Sequence, residues 1–83
     1  MENIFAQPGK PMPHGATIVN DGVNFSVFTR NGTSVILDIF QNPEDENPCF
    51  SYTFDPKINR TGDIWHGFLK GLKAGALYLY RVD

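Results

Sequence analysis

The sequence predicts an all-β protein, built as a sandwich of two antiparallel sheets. Aromatic residues make up 13% of the 83 residues and charged residues only 19%, while 8 glycines and 6 prolines separate short apolar runs. Aromatic and β-branched residues favour strands, whereas long exposed helices need more Ala, Glu, Lys and Leu. About six short strands with turn residues between them are typical of a sandwich, and this length fits one small domain.

The strands are predicted from alternation of apolar and polar residues, which is the period of a strand with one buried face. Before them, residues 1–13 carry Pro8, Pro11 and Pro13 and predict an extended lead-in across the surface. The sandwich itself is assigned to residues 14–83. Its predicted strands are 16–19, 23–29, 34–40, 50–55, 64–69 and 76–82.

Two short turns are predicted between the first strands. Asn20-Asp21-Gly22 lies between two apolar runs, and an Asp-Gly pair there indicates a β-hairpin whose central residues take positive φ. Asn31-Gly32 predicts a second tight turn before the strand that begins near Ser34.

The strand at 34–40 is apolar on both faces. Val35, Leu37 and Ile39 are expected in the core, and Ile36 and Phe40 on the opposite face. A strand that is apolar on both faces normally has cover on both. We therefore expect Ile36 and Phe40 to contact a partner domain or a further strand, and the isolated chain to self-associate. Four phenylalanines are assigned to the core: Phe25, Phe50, Phe54 and Phe68.

The residues that usually carry catalysis do not form a recognisable motif. His14 and His66 lack partners at zinc-binding spacing, and Asp63 and His66 have no accompanying nucleophile motif. The acidic run at 44–46 lies in a solvated loop, where burial cannot tune a carboxyl pKa for glycosidase chemistry. We therefore expect no catalytic residues, metal or cofactor. The triplets at Asn24, Asn31 and Asn59 match the glycosylation motif without a secretory signal, and are interpreted as chance matches.

Charge and cysteine content limit which partners and which cellular compartment we expect. A formal net charge of −2 argues against nucleic acid, and no apolar run is long enough to span a membrane as a helix. Cys49 is the single cysteine, which favours the reducing cytoplasm.

Exposed aromatics on a rigid sheet could bind the flat faces of sugar rings, and the alternative is that they fill the core. The candidates are Phe28, Phe40, Trp65, Tyr78 and Tyr80.

Three ordered motifs resemble one known family. They read GAT…GVNFSVF at 15–28, TGDIWHG at 61–67 and GALYLYRVD at 75–83, and the lead-in PGKPMP at 8–13 fits the same pattern. Together they resemble the N-terminal domain of isoamylase-type glycogen debranching enzymes, over nearly the whole chain. The family sequence continues after Arg-Val-Asp, which leaves open that the last strand of the full domain is lacking here.

The resemblance implies an immunoglobulin-like sandwich of six to seven strands, classed with carbohydrate-binding module family 48. It implies a non-catalytic module packed against a (β/α)8 barrel that hydrolyses α-1,6 branch linkages of glycogen or starch. Phe28 falls where glucan-binding relatives place a tryptophan, and Trp65 is a second candidate for sugar contact. The candidates for the domain interface are Ile36, Phe40, Tyr78 and Tyr80. Two alternatives stay open: a glucan-binding module that tethers the enzyme to glycogen, and a general immunoglobulin-like interaction domain.

Overall fold

The computed structural model describes residues 4–30, 32–73 and 75–83, and every regular element within them is a strand. The strands are β1 (Phe5–Gln7), β2 (Gly15–Val19), β3 (Gly22–Phe28), β4 (Val35–Phe40), β5 (Phe50–Thr53), β6 (Arg60–Thr61), β7 (Ile64–Lys70) and β8 (Leu77–Val82). Within the described ranges, no helix is long and apolar enough to cross a membrane.

The strands form two antiparallel sheets that pack as an immunoglobulin-like β-sandwich, which confirms the predicted fold class. The wide sheet has the order β1-β7-β3-β2, with the short β6 also paired to β7. The narrow sheet has the order β5-β4-β8. All six predicted strands are present. The structure adds β6 and also β1, which forms from the segment predicted as a lead-in outside the sandwich.

The β2–β3 hairpin is confirmed, but its glycine has a different role from the one predicted. Val19 pairs with Gly22, so Asn20 and Asp21 are the two loop residues and Gly22 already belongs to β3. A Cβ at Gly22 would collide with the carbonyl oxygen of Leu69 on the neighbouring strand, so close approach of the backbones requires the glycine.

The chain between β3 and β4 crosses from the wide sheet to the narrow one, so these strands do not form a second hairpin. Asn31, half of the tight turn predicted there, lies outside the described residues.

The core lies between the two sheets and contains the residues that alternation predicts. Val35, Leu37 and Ile39 of β4 are fully buried and face Phe25 of β3 and Trp65 of β7. Burying large apolar side chains in this way is the main force that holds such a sandwich together. The complete buried apolar set is Val23, Phe25, Val35, Leu37, Ile39, Phe54, Trp65, Leu69 and Leu72.

The four phenylalanines assigned to the core differ in their outcome. Phe25 and Phe54 are buried, and Phe50 is half-buried against the core. The assignment of Phe68 is wrong: it pairs with Asn24, on the outer face of the wide sheet, and lines a groove there. The physical reason is the period of the strand, because Trp65 faces inward and a residue three positions later must face outward.

Candidate functional surfaces

The outer face of the wide sheet is occupied by the chain's own N-terminal segment. Asn24 accepts a hydrogen bond from the Lys10 backbone N–H (2.9 Å) and donates one to the Lys10 carbonyl (3.0 Å). Ser26 donates to the Pro11 carbonyl at 2.6 Å. We call residues 8–13 the strap, because side chains of the sheet hold its backbone across this face.

His66 completes this anchorage from the neighbouring strand. Its Nδ1 lies 2.7 Å from the Pro8 carbonyl oxygen and its Nε2 lies 2.9 Å from the Thr61 hydroxyl oxygen. A carbonyl only accepts, so the Nδ1–H donates to Pro8. Asp63, three residues before His66, lies 3.7 Å from the Arg60 guanidinium. His66 is therefore a structural residue that binds the strap.

Phe28 lies at the end of β3, where the strap no longer covers the sheet. Its side chain is 52% exposed, and it pairs with Ile64 of β7. An exposed ring fixed on a paired strand has the geometry of a stacking platform. The prediction that Phe28 contacts glucan is developed under Proposed function.

Trp65 does not lie at the surface, where the sugar contact suggested by the sequence would require it. Its ring is fully buried between the sheets, and the Arg60 guanidinium lies 5.0 Å from the ring centroid. A ring with no face open to solvent cannot stack on a sugar, so this assignment is corrected. The expectation that Trp65 lies on an ordered strand is confirmed, because it belongs to β7.

The outer face of the narrow sheet carries several apolar side chains, and in the described part of the chain no segment is bound across it as the strap is on the wide sheet. Ile36 and Phe40, both half-buried, point to this face as alternation predicts. Cross-strand pairing puts Leu77 opposite Phe40 and Leu79 opposite Asp38, so both leucines lie on the same face. Leu79 is 62% exposed. We call Ile36, Phe40, Leu77 and Leu79 the leucine face. The sequence-based interface set omitted both leucines, although their alternation with Tyr78 and Tyr80 carried the signal.

Tyr78 and Tyr80, which the sequence assigned to the interface, point to the inner side of the narrow sheet. They pair with Ile39 and Leu37, and the Tyr78 ring meets the Phe25 ring edge-on with centroids 5.0 Å apart. Burial raises the pKa of the Tyr80 phenol well above its ordinary value, and Tyr78 adds to that effect. Tyr80 is thus a packing residue of its own domain, and only the 38% exposed Tyr78 stays a candidate for contact with a partner.

One ion pair lies in the middle of the leucine face. The Arg81 Nε donates to Asp38 Oδ2 at 2.6 Å, its second nitrogen donates to Oδ1 at 3.1 Å, and the Ser51 hydroxyl donates to the same Oδ1 at 2.6 Å. Asp38 is buried while Arg81 is largely exposed. These bonds from Arg81, with a smaller contribution from Ser51, hold the pKa of Asp38 below its ordinary value despite burial. The carboxylate is therefore fully satisfied within its own sheet.

The acidic loop and Cys49 lie at the surface. Within the described residues, no group of three or more His, Cys, Asp and Glu is placed to hold a metal ion. In the acidic loop, Asp45 accepts a hydrogen bond from the Asn42 backbone N–H at 3.0 Å, which shapes a surface turn. Cys49 is a free, exposed thiol.

Two of the glycosylation triplets lie at buried positions. Asn24 holds the strap, and Asn59 is fully buried and accepts bonds from the Tyr52 hydroxyl and the Asp55 N–H, both at 2.8 Å. Asn59 thus organises the loop before β6, which sequence reasoning had missed. Neither amide can carry a glycan in the folded chain. Asn31, the third, lies outside the described residues.

Comparison with known proteins agrees with the fold and its motifs. The family pattern "Carbohydrate-binding module 48 (Isoamylase N-terminal domain)" matches residues 13–83. The chain is 40% identical to "Isoamylase 1, chloroplastic" of Arabidopsis thaliana over 88 aligned residues, which cover 99% of this chain and 11% of that protein. It is 39% identical to "Glycogen debranching enzyme" of Dickeya chrysanthemi over 75 residues, covering 90% of this chain and 10% of that protein.

A further relative gives the same result. "Isoamylase 3, chloroplastic" of Oryza sativa subsp. japonica is 41% identical over 80 residues, with 89% of this chain and 10% of that protein covered. The chain therefore spans about a tenth of the length of the curated relatives it matches. On the family match and these identities, the chain belongs to the carbohydrate-binding module 48 family of isoamylase N-terminal domains, and by itself it is a non-catalytic module.

Proposed function

We propose that this chain is the N-terminal module of a debranching hydrolase that cleaves α-1,6 linkages in glycogen or starch, and that it packs against the (β/α)8 barrel of the same polypeptide. The observation that carries this proposal is the family match. The relatives are named isoamylases and glycogen debranching enzymes, and this chain aligns with about a tenth of the length of each. A module of this kind leaves the catalytic carboxylates to the remaining polypeptide.

The leucine face is the surface that best supports packing against a barrel. Leu77, Leu79, Phe40 and Ile36 surround an ion pair that is already satisfied by Asp38 and Arg81. Covering this face therefore buries apolar area without leaving an unpaired carboxylate. An apolar patch on one side of a small domain is typical of a protein–protein contact.

The experiment uses the full polypeptide encoded by the gene. Leu79→Glu should separate the module from the barrel, which splits one thermal transition into two and exposes the linker to limited proteolysis. Ile58→Glu is the matched control, since Ile58 is also exposed but lies in the loop before β6. A reading frame that encodes no barrel, or a Leu79→Glu enzyme that melts as one unit, would contradict the proposal.

The isolated chain should have no glycosidase activity. Incubation of the purified 83-residue protein with pullulan and with glycogen, followed by a reducing-end assay, tests this directly. Release of reducing ends above a buffer blank would refute the non-catalytic assignment, and full-length enzyme serves as the positive control.

A second candidate function, weak contact with α-glucan, is favoured by the exposed ring of Phe28. A single aromatic platform supplies on the order of 1 kcal/mol, so we expect a dissociation constant no tighter than about 1 mM. Titration calorimetry with maltoheptaose measures it, and micromolar affinity would promote glucan tethering to the main role.

Self-association of the isolated chain and a cytoplasmic location are also proposed. The uncovered leucine face supports the first, because exposed apolar patches associate when their natural cover is absent. A clean monomer in sedimentation at about 100 µM, within the range where such surfaces aggregate, would exclude it. The free thiol of Cys49 supports a reducing compartment, and cell fractionation followed by immunodetection tests that location.

A further inference from the structure

A groove runs along the outer face of the wide sheet, between the strap and β2. Its volume is about 590 Å³, which is as large as many ligand sites. Phe68, Met12 and Val19 are among the apolar residues that line it, and we call it the strap groove. It lies on the opposite side of the sandwich from the leucine face. Packing of the leucine face on a barrel would therefore leave the strap groove accessible.

The floor of the strap groove is an aromatic ring that lies against a glycine. Gly22 points outward, as does Asn24 two residues later on β3. A Cβ at Gly22 would lie only 2.6 Å from Cζ of the Phe68 ring, so the ring takes the space that a side chain would fill. The Phe68 ring therefore lies low over β3, and the space above it is open to a ligand.

The strap forms one wall of the groove and is fixed in place. A Cβ at Gly9, whose φ is +69°, would lie 2.6 Å from the carbonyl carbon of Gly67, so the strap touches the sheet at this glycine. The next residue, Lys10, is held by the Asn24 amide through both its backbone N–H and its carbonyl. The groove is preformed, and a ligand need not order the strap when it binds.

The charge along the groove is positive. Among the described residues that line it, Lys10 is the one charged residue, and none is a carboxylate. The backbone of Lys10 is bound to Asn24, while the residue as a whole is exposed to solvent. An apolar groove with a cation beside it is complementary to an apolar group that neighbours an anion.

The exposure of the groove favours a partner's side chain over a free small molecule. Met12 is 60% exposed and Val19 is 44% exposed, so the groove is open along its top. Small-molecule sites bury most of the ligand's surface, which an open groove does not. A side chain that projects from a partner needs cover from below only, because the partner itself covers it from above.

We propose that the strap groove binds a peptide segment of a partner protein in which an aromatic residue is flanked by Asp or Glu. The aromatic ring packs on Phe68 between Met12 and Val19, and a neighbouring carboxylate meets the Lys10 ammonium. Aromatic anchors in preformed pockets carry much of the affinity of protein contacts, and the Met12 sulfur adds a favourable contact with a ring. This site requires neither the barrel nor glucan, so it goes beyond the proposed function.

Titration of the 83-residue chain with the peptide acetyl-Asp-Phe-Asp-amide, followed by amide signals in NMR, tests the site. We expect saturable shifts at Thr17, Val19 and Phe68, with a dissociation constant in the millimolar range. Replacing both Asp residues of the peptide with Asn should weaken binding about threefold, the scale of one exposed ion pair. Replacing its Phe with Ala should weaken binding about tenfold, the scale of one aromatic contact.

Two lysine variants make the result specific. Lys10→Gln keeps the backbone bonds to Asn24 and should weaken the Asp peptide about threefold while leaving the Asn peptide unchanged, since the two changes remove the same ion pair. Lys57→Gln is the matched control, because Lys57 is also exposed but lies in the loop before β6. Both variants keep the buried residues, and their amide spectra verify that they fold.

Four results would overturn the proposal. They are the absence of saturable shifts at millimolar peptide, equal affinity for the Asp and Asn peptides, an equal loss in Lys57→Gln and Lys10→Gln, and saturable shifts of the same amides by maltoheptaose, which would make the groove a sugar site. The titration involves no residue of the leucine face and no hydrolysis, so its failure leaves the debranching proposal untouched. A reading frame without a barrel would likewise leave the strap groove untouched.

Discussion

Replacing Trp65 with alanine tests whether the core is organised as described. The ring is fully buried, and removing a buried Trp typically costs about 3–5 kcal/mol, including the cavity that remains. Area gives a similar figure, because an aromatic ring buries about 150–250 Å² at roughly 25 cal/mol per Å². A domain of 83 residues has about 4–12 kcal/mol of stability in total. Trp65→Ala should therefore remove a large part of the free energy of unfolding.

Urea unfolding followed by far-ultraviolet circular dichroism measures this loss, since the variant no longer has a tryptophan to report by fluorescence. Phe28→Ala is the control, because it removes an aromatic ring that is half exposed, and it should cost about 1 kcal/mol or less. A loss below about 0.5 kcal/mol for Trp65→Ala would show that the ring is not part of the core, and the burial assigned to β7 would then be wrong.

Three further outcomes follow from named contacts. Asn24→Ala removes two hydrogen bonds to Lys10, so the free energy of unfolding should fall by about 1–3 kcal/mol and proteolysis of the strap should become faster. Thr17→Ala on β2 is the control, and an unchanged urea midpoint for Asn24→Ala would contradict the prediction. Phe28→Ala should abolish whatever maltoheptaose affinity calorimetry detects, and retained affinity would place the sugar elsewhere. Because Arg81 lowers the pKa of Asp38 in the folded chain, the ionised carboxylate stabilises the fold above its unfolded pKa, and this stabilisation is lost as the pH falls through the lowered pKa. The free energy of unfolding of Asp38→Asn should therefore fall less than that of the unchanged chain when the pH is lowered below about 4. Identical acid-unfolding curves for the two proteins would refute this.

Alternation along each strand was enough to predict the core side of β4. Val35, Leu37 and Ile39 have the period of two that a strand requires, and Asp38 marks the opposite face, which also carries Ile36 and Phe40, as the outer one. The same period could not say whether Trp65 or Phe68 faces inward, because an aromatic residue fits either face. Their spacing of three residues does show that they lie on opposite faces, so once Trp65 proved to face inward, the assignment of Phe68 to the core was wrong as well.

The strap could not be predicted, since its contacts join distant parts of the chain. Asn24 binds Lys10 at a separation of 14 residues, and His66 contacts Pro8 at a separation of 58. The local alternation of apolar and polar residues shows only that Asn24 and His66 are polar residues on the outward side of strands. What makes them important is the segment that lies over them, and only the fold brings that segment there.

The two outer faces of the sandwich are thus prepared for different uses. On the wide sheet, Asn24, Ser26 and His66 bind the strap, so that face is partly covered by its own chain, whereas the ring of Phe28 stays exposed. On the narrow sheet, Leu79 is largely exposed, and the ion pair of Asp38 with Arg81 is internally satisfied. Packing on a barrel and contact with glucan would therefore use opposite sides of the module. Effects at well-separated sites add, so Phe28→Ala combined with Leu79→Glu in the full enzyme should show the sum of the two single effects.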